Sequence, residues 1–184
     1  MSPADQVPRY PGSPVIRAAV CVLVAFWSAP TPASAQRVAT DSIAVERTSG
    51  FGLRPAYRVT VGRTGRVRFT RRPASRSAPG PGTASGRLAP GTFEWLEHRA
   101  DRSGFFEVPR EVRSDSTLCP TWRSDAATVT IAVYSRSASR QVTIDEGCTR
   151  ASGEGHVSKV QALLEFAAAV DSVAGTRRWL PPDR

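Results

Sequence analysis

Residues 56–70 read AYRVTVGRTGRVRFT, and this pattern is the clearest guide to the architecture of the chain. Apolar side chains occupy every second position on both sides of the Gly62–Gly65 segment, which is typical of strands that bury one face. Two such runs joined by a glycine-bearing connection predict a β-hairpin. We therefore expect Val59, Val67 and Phe69 to point into a core and the polar residues between them to face outward.

A second hairpin is predicted over residues 127–145. Residues 127–134 alternate between polar and apolar side chains, residues 135–139 form a turn, and residues 140–145 continue the alternation. Residues 42–47 have the same period and predict one further strand. Each of these runs has one polar side, so the apolar sides must be buried against another layer.

Two helices are predicted, over residues 92–100 and 157–173. The second follows the helical period closely, and Gly175 is a natural C-terminal cap for it. The elements then follow the order β-β-β-α-β-β-α. We predict an α+β fold, a single antiparallel sheet of about five strands with two helices packed on one face.

The N-terminal segment predicts export. Arg9 and Arg17 give a positive start, residues 18–27 are apolar, and Ala33-Ser-Ala35 is a small-residue cleavage site. The apolar run is shorter than the roughly 20 residues that a membrane span needs. We therefore predict a cleavable signal peptide, a periplasmic or extracellular location, and no stable membrane span after cleavage. An uncleaved anchor is the alternative.

These patterns divide the chain into successive segments. Residues 1–35 are the signal peptide and residues 36–42 a leader. Residues 43–180 are expected to form one α+β domain that contains a flexible loop at 73–91, because that segment is rich in proline, glycine and serine. Residues 181–184 are a short tail.

The cysteine count depends on the signal peptide. The chain has three cysteines, and cleavage removes Cys21. Cys119 and Cys148 remain in an oxidising compartment, where two thiols most simply form a disulfide. This bond would attach the irregular segment 108–125 to the second hairpin.

The net charge of the chain is +9, and nearly all of its cations are arginines because Lys159 is the only lysine. No acidic residue lies between Arg47 and Arg87. We predict a positively charged face on and beside the first hairpin, comprising Arg58, Arg66, Arg68, Arg71 and Arg72. Such a composition is also typical of GC-rich coding, and solvated arginines on an outer face are the alternative interpretation.

An anionic component of the cell envelope, or another protein, is the partner that this face suggests. Nucleic acid is not expected, because base stacking needs aromatic side chains on the same face. Tyr57 and Phe69 are predicted to point inward, and export separates the protein from cytoplasmic nucleic acid. The oligomeric state is left open.

Motifs for catalysis are lacking in the sequence. His98 and His156 have no cysteine, histidine or carboxylate at a common metal-ligand spacing. The sequence contains no G-x-S-x-G elbow, no S-x-x-K pattern and no glycine-rich phosphate loop. We predict no catalytic residues, metal or cofactor, and a non-catalytic binding module. A hydrolase built from scattered serine, histidine and aspartate residues is an alternative.

One segment resembles a known family. Arg47-Thr-Ser-Gly-Phe-Gly-Leu-Arg-Pro-Ala-Tyr57 resembles the opening motif R-T-x-C-F-G-x-C-P-x-Y of an uncharacterised family of bacterial secreted and lipoprotein domains, with similarity across about residues 43–180. Gly50 and Arg54 stand where that motif has cysteines, so no cysteine-dependent role carries over. The resemblance implies the fold and an exported location, and no activity. The topology is also similar to small bacterial metalloprotease inhibitors, which makes a protease-inhibitor-like protein a further alternative.

Overall fold

The computed structural model describes residues 39–50, 56–72, 82–150 and 157–181. All of them belong to one compact unit, Arg37–Arg184. The predicted signal peptide, and residues 36–38 of the predicted leader, lie outside the described residues.

Six strands form one antiparallel sheet in the order β4-β3-β2-β1-β5-β6. Their bounds are β1 Thr40–Arg47, β2 Ala56–Gly62, β3 Arg66–Arg72, β4 Gly82–Arg87, β5 Thr128–Ser135 and β6 Ser139–Asp145. Both predicted hairpins are present, as β2–β3 and β5–β6. The predicted α+β class with one antiparallel sheet is confirmed.

Two α-helices accompany the sheet, α1 at Thr92–Arg102 and α2 at Val157–Ala174. Helix α2 packs against β1, β2 and β5, and α1 packs against α2. Gly175 follows α2 with a φ of 68°, a left-handed conformation that glycine adopts without strain, and the chain turns there into a short 3-10 helix, Thr176–Trp179. Two other 3-10 helices are Val112–Ser114 and Glu146–Arg150.

The core lies between the sheet and the helices. Ile43 of β1, Val59 of β2 and Ile131 of β5 are fully buried on the helix side of the sheet. Leu96 of α1 and Leu163 of α2 are equally buried opposite them. Burying a side chain of this size contributes about 1.5–3 kcal/mol, so the alternation seen in the sequence accounts for the attachment of the helices to this face.

The strand count is six rather than the expected five. Residues 82–87, predicted to lie in the flexible loop 73–91, form β4 and pair with β3. Trp179 explains part of this pairing, because its ring packs on Phe69 at 5.2 Å and lies 3.5 Å from the position of a Cβ on Gly86. Residues 73–81 lie outside the described residues.

The start of the sheet differs slightly from the predicted boundary of the leader. Strand β1 begins at Thr40, so the last residues of the predicted leader 36–42 belong to the sheet.

The Sγ atoms of Cys119 and Cys148 are at bonding distance, 2.10 Å, which confirms the predicted pair. No helix among the described residues is long and apolar enough to cross a membrane.

Candidate functional site

The first candidate surface is the outer face of the sheet, on the side away from the helices. Because side chains alternate along a strand, Arg66 and Arg68 project to this face from β3 while Val67 and Phe69 are buried on the other. Arg66 lies directly opposite Arg87 of β4 in the strand register. These three exposed arginines, Arg66, Arg68 and Arg87, are called the basic patch below.

No carboxylate of the described residues forms an ion pair with a member of the basic patch. Directly opposed residues on antiparallel strands have Cβ atoms about 4.5–5.5 Å apart. Residues two apart on one strand are separated by roughly 6.6–6.8 Å. The three arginines therefore project from one small area of the sheet and give it a positive charge.

Two arginines of the predicted basic face are neutralised by an acid from the neighbouring strand. Glu46 of β1 lies opposite Arg58 and accepts a hydrogen bond from its Nη1 at 3.1 Å. The other carboxylate oxygen of Glu46 accepts from Nη1 of Arg72, also at 3.1 Å. Nη2 of Arg58 donates to the Tyr134 hydroxyl at 2.7 Å. Arg58 and Arg72 lie on the predicted face, but Glu46 compensates their charges there.

Arg71 was also predicted on this face, and that prediction is wrong. Arg71 follows Val67 and Phe69 at intervals of two residues along β3, and it lies opposite Tyr57 of β2. Its side chain therefore belongs to the helix side of the sheet. Its guanidinium group lies beside Gly82 of β4, 3.3 Å from the position of a Cβ there. Because successive side chains of a strand point to opposite faces, Arg71 and Arg72 lie on different sides of the sheet.

Arg87 is a member of the basic patch that the sequence reasoning missed. It lies in the predicted loop 73–91, part of which forms β4. A signal is present in retrospect, because Thr83, Ser85 and Arg87 alternate with the partly buried Ala84.

A second candidate site is a cavity of about 450 Å³ on the helix side of the sheet. It lies where β1 and β2 meet the C-terminal end of α2. Its polar lining includes Arg47, Glu146, Asp171 and Arg177, and its apolar lining includes the Tyr57 ring. Leu180 and Pro181, which follow the last 3-10 helix, complete the apolar side.

Two residues that line this cavity form an ion pair. Nε of Arg47 donates to Oδ2 of Asp171 at 2.8 Å, and its Nη1 lies 3.5 Å from Oε1 of Glu146. The side chains of Arg47 and Asp171 are only 23% and 14% exposed. Asp171 Oδ1 is buried and has no hydrogen-bond donor among the described residues. The Tyr57 and Thr176 hydroxyls lie near the carboxylate and oppose the rise of its pKa, but neither reaches hydrogen-bond geometry at Oδ1.

The surroundings of this carboxylate alter three pKa values. Burial raises the pKa of Asp171, although the positive charge of Arg47 opposes the shift. Burial raises the pKa of Tyr57, and the neighbouring Asp171 carboxylate raises it further. Burial alone would lower the pKa of Arg47, but the attraction of Asp171 raises it on balance. The pKa shifts of Asp171 and Tyr57 follow from a poorly hydrated site, whereas the shift of Arg47 reflects its ion pair.

Sequence reasoning did not identify this cavity. Arg47 and Asp171 are separated by 124 residues, and Tyr57 was recognised only as an inward-pointing strand residue. His98, considered above for a hydrolase, is exposed on α1 and does not line the cavity. His156 lies outside the described residues. Within the described parts of the chain, no three His, Cys, Asp or Glu side chains converge to hold a metal ion.

The disulfide lies close to the cavity in the chain. Cys148 belongs to the same 3-10 helix as the cavity residue Glu146, Glu146–Arg150. The bond to Cys119 therefore tethers the segment that presents the Glu146 carboxylate to Arg47.

A scan against protein-family models and a search of curated proteins find no match to this chain, so the family resemblance of its opening motif stays a prediction.

Proposed function

We propose that the protein is a non-catalytic binding domain, exported to the cell envelope, whose basic patch binds an anionic envelope component. One observation carries this proposal. Three exposed arginines adjoin one another on β3 and β4 without an ion pair to any described carboxylate.

The arrangement of the patch supports a role in binding. Like charges directly opposite each other on antiparallel strands are destabilising, and Arg66 and Arg87 are such a pair. Elsewhere on the same face, Glu46 compensates Arg58 and Arg72. An anionic partner would supply at the patch the compensation that Glu46 supplies at the centre of the sheet.

The side-chain chemistry favours phosphate or carboxylate groups. A guanidinium group presents a planar fork of donors that matches both of these anions, and it is always charged. Nucleic acid is the weaker interpretation, because base stacking needs an available aromatic face. Of the described residues, Tyr134 projects to this side of the sheet, and its hydroxyl is bound by Arg58.

Binding to defined polyanions tests the proposal. The protein is titrated with phosphatidylglycerol vesicles, phosphatidylcholine vesicles, polyglutamate and single-stranded DNA, at low and at physiological salt. The triple variant Arg66→Gln, Arg68→Gln, Arg87→Gln should bind phosphatidylglycerol vesicles or polyglutamate about tenfold more weakly, since exposed ion pairs contribute roughly 0.2–1 kcal/mol each. Salt should weaken wild-type binding through screening.

A second triple variant separates the patch from overall charge. Arg102→Gln, Arg110→Gln, Arg136→Gln removes the same three charges from exposed positions outside the outer face, and it should keep nearly the wild-type affinity. Equal losses in the two triple variants would show that net charge alone drives binding and would overturn the proposal. So would tightest binding to DNA, or equal binding to the two kinds of vesicle.

A further inference from the structure

We propose that the cavity beneath β1 and β2 binds a small uncharged ligand, which has an apolar arm and donates one N–H or O–H hydrogen bond to Asp171 Oδ1. The cavity lies on the helix side of the sheet and the basic patch on the outer side. The inference is therefore independent of the function proposed above.

The volume of the cavity suits a small molecule. Ligand pockets are commonly about 300–1,000 Å³ and are lined mainly by apolar surface with a few converging polar groups. The cavity has about 450 Å³. Tyr57, Ala168, Leu180 and Pro181 supply apolar surface, and Asp171 supplies the polar group. An aliphatic chain of a few carbons with one polar end fits this combination.

The carboxylate of Asp171 specifies a hydrogen-bond donor. Its Oδ2 accepts from Arg47, whereas no donor of the described residues reaches hydrogen-bond geometry at its buried Oδ1, although the Tyr57 and Thr176 hydroxyls lie near the carboxylate. A buried acceptor without a partner is unfavourable, and a hydrogen bond to a charged acceptor is stronger than one between neutral groups. A ligand N–H or O–H at Oδ1 would remove that penalty.

The charges around the cavity favour an uncharged ligand. Arg47 and Arg177 are balanced by Glu146 and Asp171. Arg47 already contacts both carboxylates, so an ammonium group would have to compete with it for them. A ligand carboxylate would instead approach the buried charge of Asp171. An amide or a hydroxyl avoids both penalties.

Four probes with the same carbon chain test this chemistry. They are hexanamide, N,N-dimethylhexanamide, hexanoate and hexylammonium, titrated at neutral pH against the whole exported protein. Binding is followed through the backbone amide NMR signals of Gly175 and Thr176. Hexanamide should bind about tenfold more tightly than its dimethyl derivative, which has the same carbonyl but no N–H donor. The two charged probes should bind more weakly than hexanamide.

Two variants locate the site, and their folded state is checked by circular dichroism. Ala168→Leu adds a larger side chain to the cavity wall from α2, without removing either partner of the ion pair, and should abolish binding of hexanamide. Ala162→Leu makes the same change on the same helix at a residue that does not line the cavity, and it should leave the affinity within about twofold. Equal effects of the two substitutions would overturn the proposal.

Asp171→Asn tests the direction of the hydrogen bond. Arg47 needs an acceptor, so the amide oxygen should face it and the NH2 group should take the place of Oδ1. The cavity would then present a donor, and the preference for hexanamide over N,N-dimethylhexanamide should disappear or reverse. Unchanged preference in this variant, equal binding of the two amides to the wild type, or no binding of either, would each contradict the proposal.

Discussion

The outer face of the sheet and the cavity beneath it contain ion pairs of similar geometry in different environments. Glu46 lies 3.1 Å from each of two arginines, Arg58 and Arg72, whose side chains are 36% and 66% exposed. Arg47 lies 2.8 Å from Asp171, and their side chains are 23% and 14% exposed. The comparison shows that an ion pair on the helix side of the sheet is shielded from water much more than a pair of similar geometry on the outer side.

The energetic consequences differ for a physical reason. Water screens the outer pairs, and exposed pairs typically contribute only about 0–1 kcal/mol. The inner pair has lost much of its hydration, so removing one partner leaves a poorly solvated charge behind. The outer pairs therefore contribute little to stability, whereas the pair of Arg47 with Asp171 stabilises the wall of the cavity.

Among the changes considered, removal of the disulfide should have the largest effect on the free energy of unfolding. The double variant Cys119→Ser, Cys148→Ser should lower the free energy of unfolding by about 3–4 kcal/mol, because the bond closes a loop with a sequence separation of 29 residues. Urea unfolding measures this loss. Because Cys148 is two residues from Glu146, chemical shifts should change around the cavity and remain constant in β3 and β4. Changes centred on the basic patch would contradict the assignment of the tether to the cavity side.

Breaking the inner and outer ion pairs separately tests the comparison directly. Asp171→Ala should lower the free energy of unfolding by about 2–3 kcal/mol, somewhat less than for a fully buried pair because both partners retain some exposure. Glu46→Ala, the matched change on the outer face, should lower it by less than about 1 kcal/mol. Equal losses in urea unfolding would mean that burial does not distinguish the two regions.

Two arginines of the outer face should respond to the same substitution with opposite signs. Arg66→Thr removes a like-charge pair with Arg87 and introduces a residue with high strand propensity, so it should raise the free energy of unfolding by about 0.2–1 kcal/mol. Arg58→Thr removes contacts with Glu46 and Tyr134 and should lower it by a similar amount. Thermal or urea unfolding of the two variants checks the signs. Stabilisation by both substitutions would show that Glu46 does not compensate Arg58.

The smallest effect concerns pH. The folded-state pKa of Asp171 is raised above its usual 3.8 by burial, so the folded protein binds its proton more readily than the unfolded chain. The stability contributed by protonated Asp171 is present below pH 3.8 and is lost as the pH rises through the folded-state pKa. The unfolding free energy of the wild type relative to Asp171→Asn should therefore fall over that range. A rise with pH would mean that attraction to Arg47 outweighs desolvation.

Local patterns predicted those parts of the structure that depend on neighbouring residues in the chain. Both hairpins follow from alternation, because a strand with one buried face must repeat every two residues. The disulfide followed from the predicted oxidising compartment and from the two cysteines that remain once Cys21 is assigned to the signal peptide. Strand β4 was missed because Gly82–Arg87 has little apolar alternation of its own, and its pairing depends on β3 and on Trp179.

The candidate sites were less accessible to sequence reasoning. The outward orientation of Arg58, Arg66 and Arg68 was predicted correctly. The alternation within each strand determines which face of the sheet these side chains take. The position of Glu46 opposite Arg58 depends on the register of β1 against β2, which no local pattern specifies. Arg71 was assigned to the wrong face because the run of arginines was followed beyond the predicted end of the strand at residue 70.

The amino-acid sequence alone therefore sufficed for the α+β class, the hairpins and the cysteine pair, since periodicity and composition act over a few residues. The pairing of Arg47 with Asp171, the cavity around them and the completion of the basic patch by Arg87 required the folded chain. These features join residues far apart in the chain. Burial and strand register, which determine their charges and contacts, exist only after the helices have packed on the sheet.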